Sequence, residues 1–174
     1  MTTLPSAAIF KGMEKFFNTT LAVAKDEGNR VGRKGMASGP KSRSELLIGD
    51  ANLTYKYDSF VFHAVGWSVA PSFVVDTKSA IEIALSVKFN SCFCVLYPNG
   101  QSSVGEHTDG DAKETAHDED SVIANLCLGE SRSVLLSGLK ARVATSNGTI
   151  YGWWVKDYLV HSVPKDHSAK RPRI

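Results

Sequence analysis

From residue 44 onward the chain is written mostly in short apolar runs closed by turn signals. That texture restricts the fold more than any other feature, because such runs suit strands of an antiparallel sheet system. SELLIGDANLTYKYDSFVFHAVGW reads as short strands and turns, and NSCFCVLY (90–97) as a buried strand that ends at the turn signal Pro98-Asn99-Gly100. SVIANLCLG (121–129) and SRSVLLSG (131–138) read as two further strands, and TIYGWWVKDYLVHSVP (149–164) as strand-like in part. Helical spacing is confined to two places. Residues 6–25 place Ala7, Ile9, Phe10, Met13, Phe16, Phe17, Leu21 and Val23 near one side, and 78–89 do the same with Ile81, Ile83, Ala84, Val87 and Phe89. Helices first and strands after predict an α+β domain, a sandwich or barrel flanked by helices.

With 174 residues, one domain with a real core fits and two would be cramped. A net charge of +2 points neither toward nor away from nucleic acid, so the distribution of charge matters more. Arg30, Arg33, Lys34, Lys41 and Arg43 gather in a glycine-rich stretch, and the tail KDHSAKRPRI is basic. Such clusters suit either a solvated loop or phosphate contacts. Cys92, Cys94 and Cys127 all lie in apolar runs, which reads as reduced buried thiols in a cytoplasmic or nuclear protein that is not secreted. No run approaches the ~18 apolar residues of a membrane span.

The chemistry-bearing residues sit after the strand at 90–97. His107 and Asp109 are two apart, at the edge of an acidic segment that includes Glu106, Asp111, Glu114, Asp118, Glu119 and Asp120. A solvated acidic loop is the plain alternative. A calcium loop of the EF-hand type fails, because Glu114 stands where glycine is needed. Adding His161, about fifty residues later, gives two imidazoles and one carboxylate. That is the ligand set of the facial triad of non-haem Fe(II) oxygenases, which leaves open positions for a co-substrate and dioxygen.

The words around these residues resemble the AlkB family of Fe(II)/2-oxoglutarate-dependent dioxygenases from about residue 49 to the end. Gly49-Asp50 with Leu53-Thr54-Tyr55-Lys56-Tyr57 is similar to the family's GD…TYxYS strand pair. Phe89-Asn90-Ser91, Tyr97, Asn99-Gly100 and Val104-Gly105 lead to His107-Thr108-Asp109 as in FN…NxYxxGxxxIGxHxD. Ile123 to Gly129 resembles the ISLG strand, Arg132 to Leu136 the RxFxL strand, His161 to Lys165 the HSVPK word, and Pro172-Arg173-Ile174 the start of PRINLTFR.

The resemblance implies a double-stranded β-helix (jelly-roll) core with flanking N-terminal helices. Residues 1–45 would form an N-terminal helix and basic loop, and 46–174 the dioxygenase core, with a nucleotide-recognition lid at about 46–72. His107, Asp109 and His161 would bind Fe(II), while Tyr97 and Arg173 would hold 2-oxoglutarate. Tyr55, Tyr57 and Asp111 would face the substrate, the tyrosines by stacking on a flipped base. The implied activity is oxidative demethylation of bases such as 1-methyladenine and 3-methylcytosine in single-stranded DNA or RNA, by a monomer; it would release succinate, carbon dioxide and formaldehyde. Two other readings stay open: a related oxygenase acting on a protein or small molecule, and a catalytically impaired nucleic-acid-binding module. One departure bears on the co-substrate. Where the family usually carries an asparagine two residues before the tyrosine, this chain has Val95. Trp67, Trp153 and Trp154 are expected in the core, and His63, His117 and His167 at the surface or in packing.

Overall fold

The computed structural model describes residues 11–13, 15–16, 43–57, 60–109 and 121–174, with residues 56, 57 and 60 described by their backbone alone. Within them the protein is mixed α/β, with mostly antiparallel sheets and few helices. Strand β1 (Ser44–Gly49) is the middle of a three-stranded sheet, between β4 (Val65–Gly66), which it pairs in parallel, and β5 (Ser91–Leu96), which it pairs in antiparallel fashion. Leu46, Leu47 and Ile48 are all buried, the mark of a strand covered on both faces.

Register sorts those faces. Leu46 opposes Cys94 and Ile48 opposes Cys92, so these four share one side. There they pack with Leu96, Leu128 and Met13 into the main core, supported by Phe16, Trp67, Phe73 and Val74. The opposite side presents Glu45 and Leu47 beside Val95 and Phe93, and Tyr97 continues the same alternation.

Beyond this sheet, β2 (Thr54–Tyr57) and β3 (Phe60–His63) form a hairpin. Strands β7 (Val122–Leu126) and β10 (Ile150–Trp154) pair with each other. A four-stranded sheet runs in the order β6 (Val104–His107), β11 (His161–Val163), β8 (Arg132–Leu136), β9 (Ala141–Thr145). The final residues join two of these systems. Tyr97 and Arg173 exchange backbone hydrogen bonds of 2.7 and 2.9 Å, and Leu128 and Ile174 do the same at 2.7 and 2.9 Å. The tail therefore lies as a seam between the end of β5 and the end of β7.

Several expectations need correction. The helix anticipated at 78–89 is α1, Ser72–Leu85. Pro71 starts it, accepting from the Val74 amide, and Ser86 stops it in the left-handed region at φ 55°. It packs through Phe73 and Val74, which leaves Ile83 80% exposed. Strand β9 was not anticipated at all. Trp154 is exposed rather than in the core, because alternation along β10 turns it away from its buried neighbour Trp153. Residues 11–13 and 15–16 are helical, while the rest of the expected 6–25 helix and most of the basic loop lie outside the described residues. Of the stretch expected as a lid, Leu46–Gly49 belongs to buried β1, and Tyr55 lies on the β2–β3 hairpin.

Candidate metal and carboxylate site

The metal-ligating set comes from a single strand pairing. Strands β6 and β11 are antiparallel, with His107 directly opposite His161, so both imidazoles fall on one face with ring centroids 4.2 Å apart. Asp109, two residues beyond His107, reaches back to both rings. Its Oδ1 lies 3.5 Å from His107 Nε2 and its Oδ2 3.6 Å from His161 Nε2. One ligand atom from each of the three residues falls within 4.8 Å of the others, close enough to hold a metal ion.

The protonation pattern suits that task. His107 Nδ1 lies 2.9 Å from the Gly105 carbonyl, and His161 Nδ1 lies 2.9 Å from the Leu159 carbonyl. A carbonyl only accepts, so each Nδ1 is the donor and each Nε2 is left to face Asp109. Burial disfavours a charged His107, but the hydrogen bonds to Asp109 and to the Gly105 carbonyl outweigh it and hold its pKa above the ordinary value.

A second group of polar side chains lies along the sheet that faces the histidines. On β10 and β7, Tyr151 opposes Asn125 and Trp153 opposes Ile123, which puts Ile123, Asn125, Tyr151 and Trp153 on one face. Gly152 allows this pairing to be so close, since a Cβ there would stand 2.3 Å from the Ile123 carbonyl oxygen. The Trp153 ring lies 4.6 Å from the His161 ring and 5.8 Å from that of Tyr151.

Arg173 is 5% exposed at the far end of this face. It donates to Thr145 Oγ1 at 2.6 Å and to Cys127 Sγ at 2.9 Å, and among the described residues no carboxylate pairs with it. A buried guanidinium with only neutral partners among the described residues has the charge and the donors to take an anion. Tyr97 is buried beside it, and burial pushes its hydroxyl up to about 12, partly offset by Arg43 and Arg173, so the phenol stays a donor at neutral pH. Arg132 has a different task. It donates to the backbone carbonyls of Ser102 and Pro164 at 2.9 and 2.6 Å and ties the loop before β6 to the end of β11.

The structure thus brings His107, Asp109 and His161 together, and Tyr97 together with Arg173. The Tyr55 ring lies 5.1 Å from that of Phe93, on the side of β5 that also presents Val95 and Tyr97. The side chain of Tyr57, and Asp111 and His117 entirely, lie outside the described residues. His63 is exposed, and His167 Nδ1 meets Gln101 at 2.8 Å. Trp67 packs against the core as expected and donates to Asp50 at 2.8 Å.

Sequence reasoning placed Trp153 in the core and Cys127 among the buried thiols, as the structure has them, but gave neither them nor Asn125 and Thr145 a role in the site. A period-two reading of YGWW would have separated the inward Trp153 from Trp154, and an asparagine within an apolar strand run is itself a signal. Among the described residues, no helix is long and apolar enough to cross a membrane. No family model matches the chain, and no curated protein matches it.

Proposed function

We propose that this chain is an Fe(II)- and 2-oxoglutarate-dependent dioxygenase that removes methyl groups from N-alkylated nucleic-acid bases such as 1-methyladenine and 3-methylcytosine. The observation that supports it most is one continuous face, with a His-Asp-His cluster at one end and, at the other, a buried arginine that has no carboxylate partner among the described residues. In this reading the sheets around that face are the halves of a double-stranded β-helix.

The donor set suits iron(II): two imidazoles with their Nε2 atoms turned to one point and one carboxylate between them. When bound, iron(II) would supply the redox chemistry that couples loss of carbon dioxide from 2-oxoglutarate, giving succinate, to hydroxylation of the N-methyl group by dioxygen. The hydroxymethyl product then loses formaldehyde. The chain's own residues do the rest. Arg173, held by Thr145 and Cys127, would present a planar donor pair to the distal carboxylate. Tyr97 would donate its hydroxyl to the same molecule. Trp153 packs against His161 and would shield that side of the cluster from water. Tyr55, against Phe93, offers an aromatic face on which a base can stack.

The test is succinate production from 2-oxoglutarate under Fe(II) and dioxygen, with and without a methylated single strand, beside His107→Ala. Turnover that rises with the methylated strand and vanishes in the variant is expected. Turnover indifferent to any oligonucleotide would move the substrate to a protein or small molecule. Oligonucleotide binding without any turnover would leave a binding module.

A further inference from the structure

The inward face of β7 and β10 holds one donor to which the protein assigns no acceptor. Asn125 Nδ2 is shut off from solvent and has no hydrogen-bond partner among the described residues. An amide N–H removed from water without an acceptor is costly, and native proteins rarely leave one so. Its position is fixed by register. Asn125 opposes Tyr151, between the Ile123–Trp153 pair, whose tryptophan packs against His161, and Cys127, whose sulfur accepts from Arg173. It therefore stands between the metal-ligating end and the arginine end.

Strand β5 offers no side-chain donor at the matching place on this face. Two residues before Tyr97 stands Val95, on the same face as Tyr97 and directly opposite Glu45. Valine has nothing to donate, and Glu45, which is 1% exposed, is a carboxylate paired with Arg43 at 2.6 Å. A dicarboxylate lying along this face would meet no donor from β5 between the metal cluster and Tyr97. On β7, across the tail from β5, it would meet the amide of Asn125.

Resting on the function proposed above, we infer that Asn125 is a 2-oxoglutarate-binding residue whose side-chain amide donates to the co-substrate in place of the donor that Val95 cannot supply. A ligand rich in acceptors and free of donors is the complement of an unpaired N–H beside a buried arginine.

The test is calorimetric titration of 2-oxoglutarate into the Mn(II)-loaded protein, Mn(II) being a stand-in for iron that avoids turnover. Asn125→Ala is expected to weaken binding by about ten- to a hundredfold, the worth of one hydrogen bond to a charged group. Asn125→Asp, nearly the same shape but a carboxylate, is expected to weaken it further, and adding Val95→Asn to Asn125→Ala to restore part of the loss. Mn(II) affinity and the KM for the methylated strand should not move. Should Asn125→Ala not fold, the isosteric Asn125→Asp decides alone. Unchanged 2-oxoglutarate affinity in variants that still bind Mn(II) would overturn the assignment and leave the proposed function standing. Wild-type protein that binds Mn(II) but not 2-oxoglutarate would overturn both.

Discussion

The two ends of the candidate site are built in different ways. At the metal-ligating end, a strand pair sets the geometry: His107 faces His161 across β6 and β11, beside a register shift between His161 and Val163, and each ring is steadied by the carbonyl two residues before it. At the arginine end no regular ladder does this. Arg173 is held by single bridges to Tyr97 and Gly129, by a hydroxyl from β9 and by a thiol beyond β7. Ladder geometry tolerates local change because neighbouring bonds share it. A seam of single bridges has no such reserve, so the arginine end should be the more fragile of the two.

Two glycines provide the largest contrast. A Cβ at Gly100 would stand 1.6 Å from the Asp166 carbonyl oxygen, and the Gly100 amide donates to Ala169 at 2.9 Å, close to the seam. Gly100→Ala is expected to cost more than about 3 kcal/mol, read as a fall in the thermal unfolding midpoint. Equal stability of Gly100→Ala and wild type would mean that the seam yields easily and the comparison is wrong.

Next come the ends themselves. His161→Ala should lower metal affinity by about a hundredfold or more, measured by competition with a chelating dye. Arg173→Lys should leave metal affinity intact and weaken 2-oxoglutarate by about tenfold, since an ammonium cannot reproduce the fork of donors. If Arg173→Lys also disturbed the metal, the two ends would be one unit.

A smaller effect is expected far from both. Glu82, 6% exposed, accepts from Lys78 at 2.6 Å, the Phe89 amide at 2.8 Å and Lys88 at 3.2 Å, which together hold its carboxyl down at about 2. Because the folded value is depressed, the stabilisation is in place above the ordinary carboxylate range. It is lost as pH falls from about 4.5 toward 2. Glu82→Gln should flatten that part of the stability–pH curve and leave metal affinity at neutral pH untouched.

The smallest is Gly105→Ala, at the metal-ligating end. A Cβ there meets nothing within 4 Å, so stability should change by less than about 0.5 kcal/mol, and the carbonyl that steadies His107 stays in place.

How much of this could be read in advance follows the same division. His107 and Asp109 are legible because a two-residue spacing at the end of a strand puts both on one face. That His161 opposes His107 is a matter of register, which spacing along the chain does not encode. At the arginine end, Arg173 was reached only by resemblance of the tail, and nothing local says that it reaches Thr145 and Cys127. Helix α1 was misplaced because Ile83 and Leu85 are apolar yet exposed, so the periodicity had no single buried stripe to follow. Strand β9 escaped notice because ARVAT, with Arg142 in it, offers little apolar contrast.

The seam at Arg173 also has a consequence in time. The β8–β9 pairing, from Arg132 to Thr145, joins residues close in the chain, whereas Tyr97 and Leu128 wait for partners at its far end. Distant partners find each other slowly. During refolding, the β8–β9 hairpin amides should become shielded from exchange before those of Leu128, Arg173 and Ile174, in a pulse-labelling experiment. A nascent chain would then form the β8–β9 hairpin early and close the seam at Arg173 last.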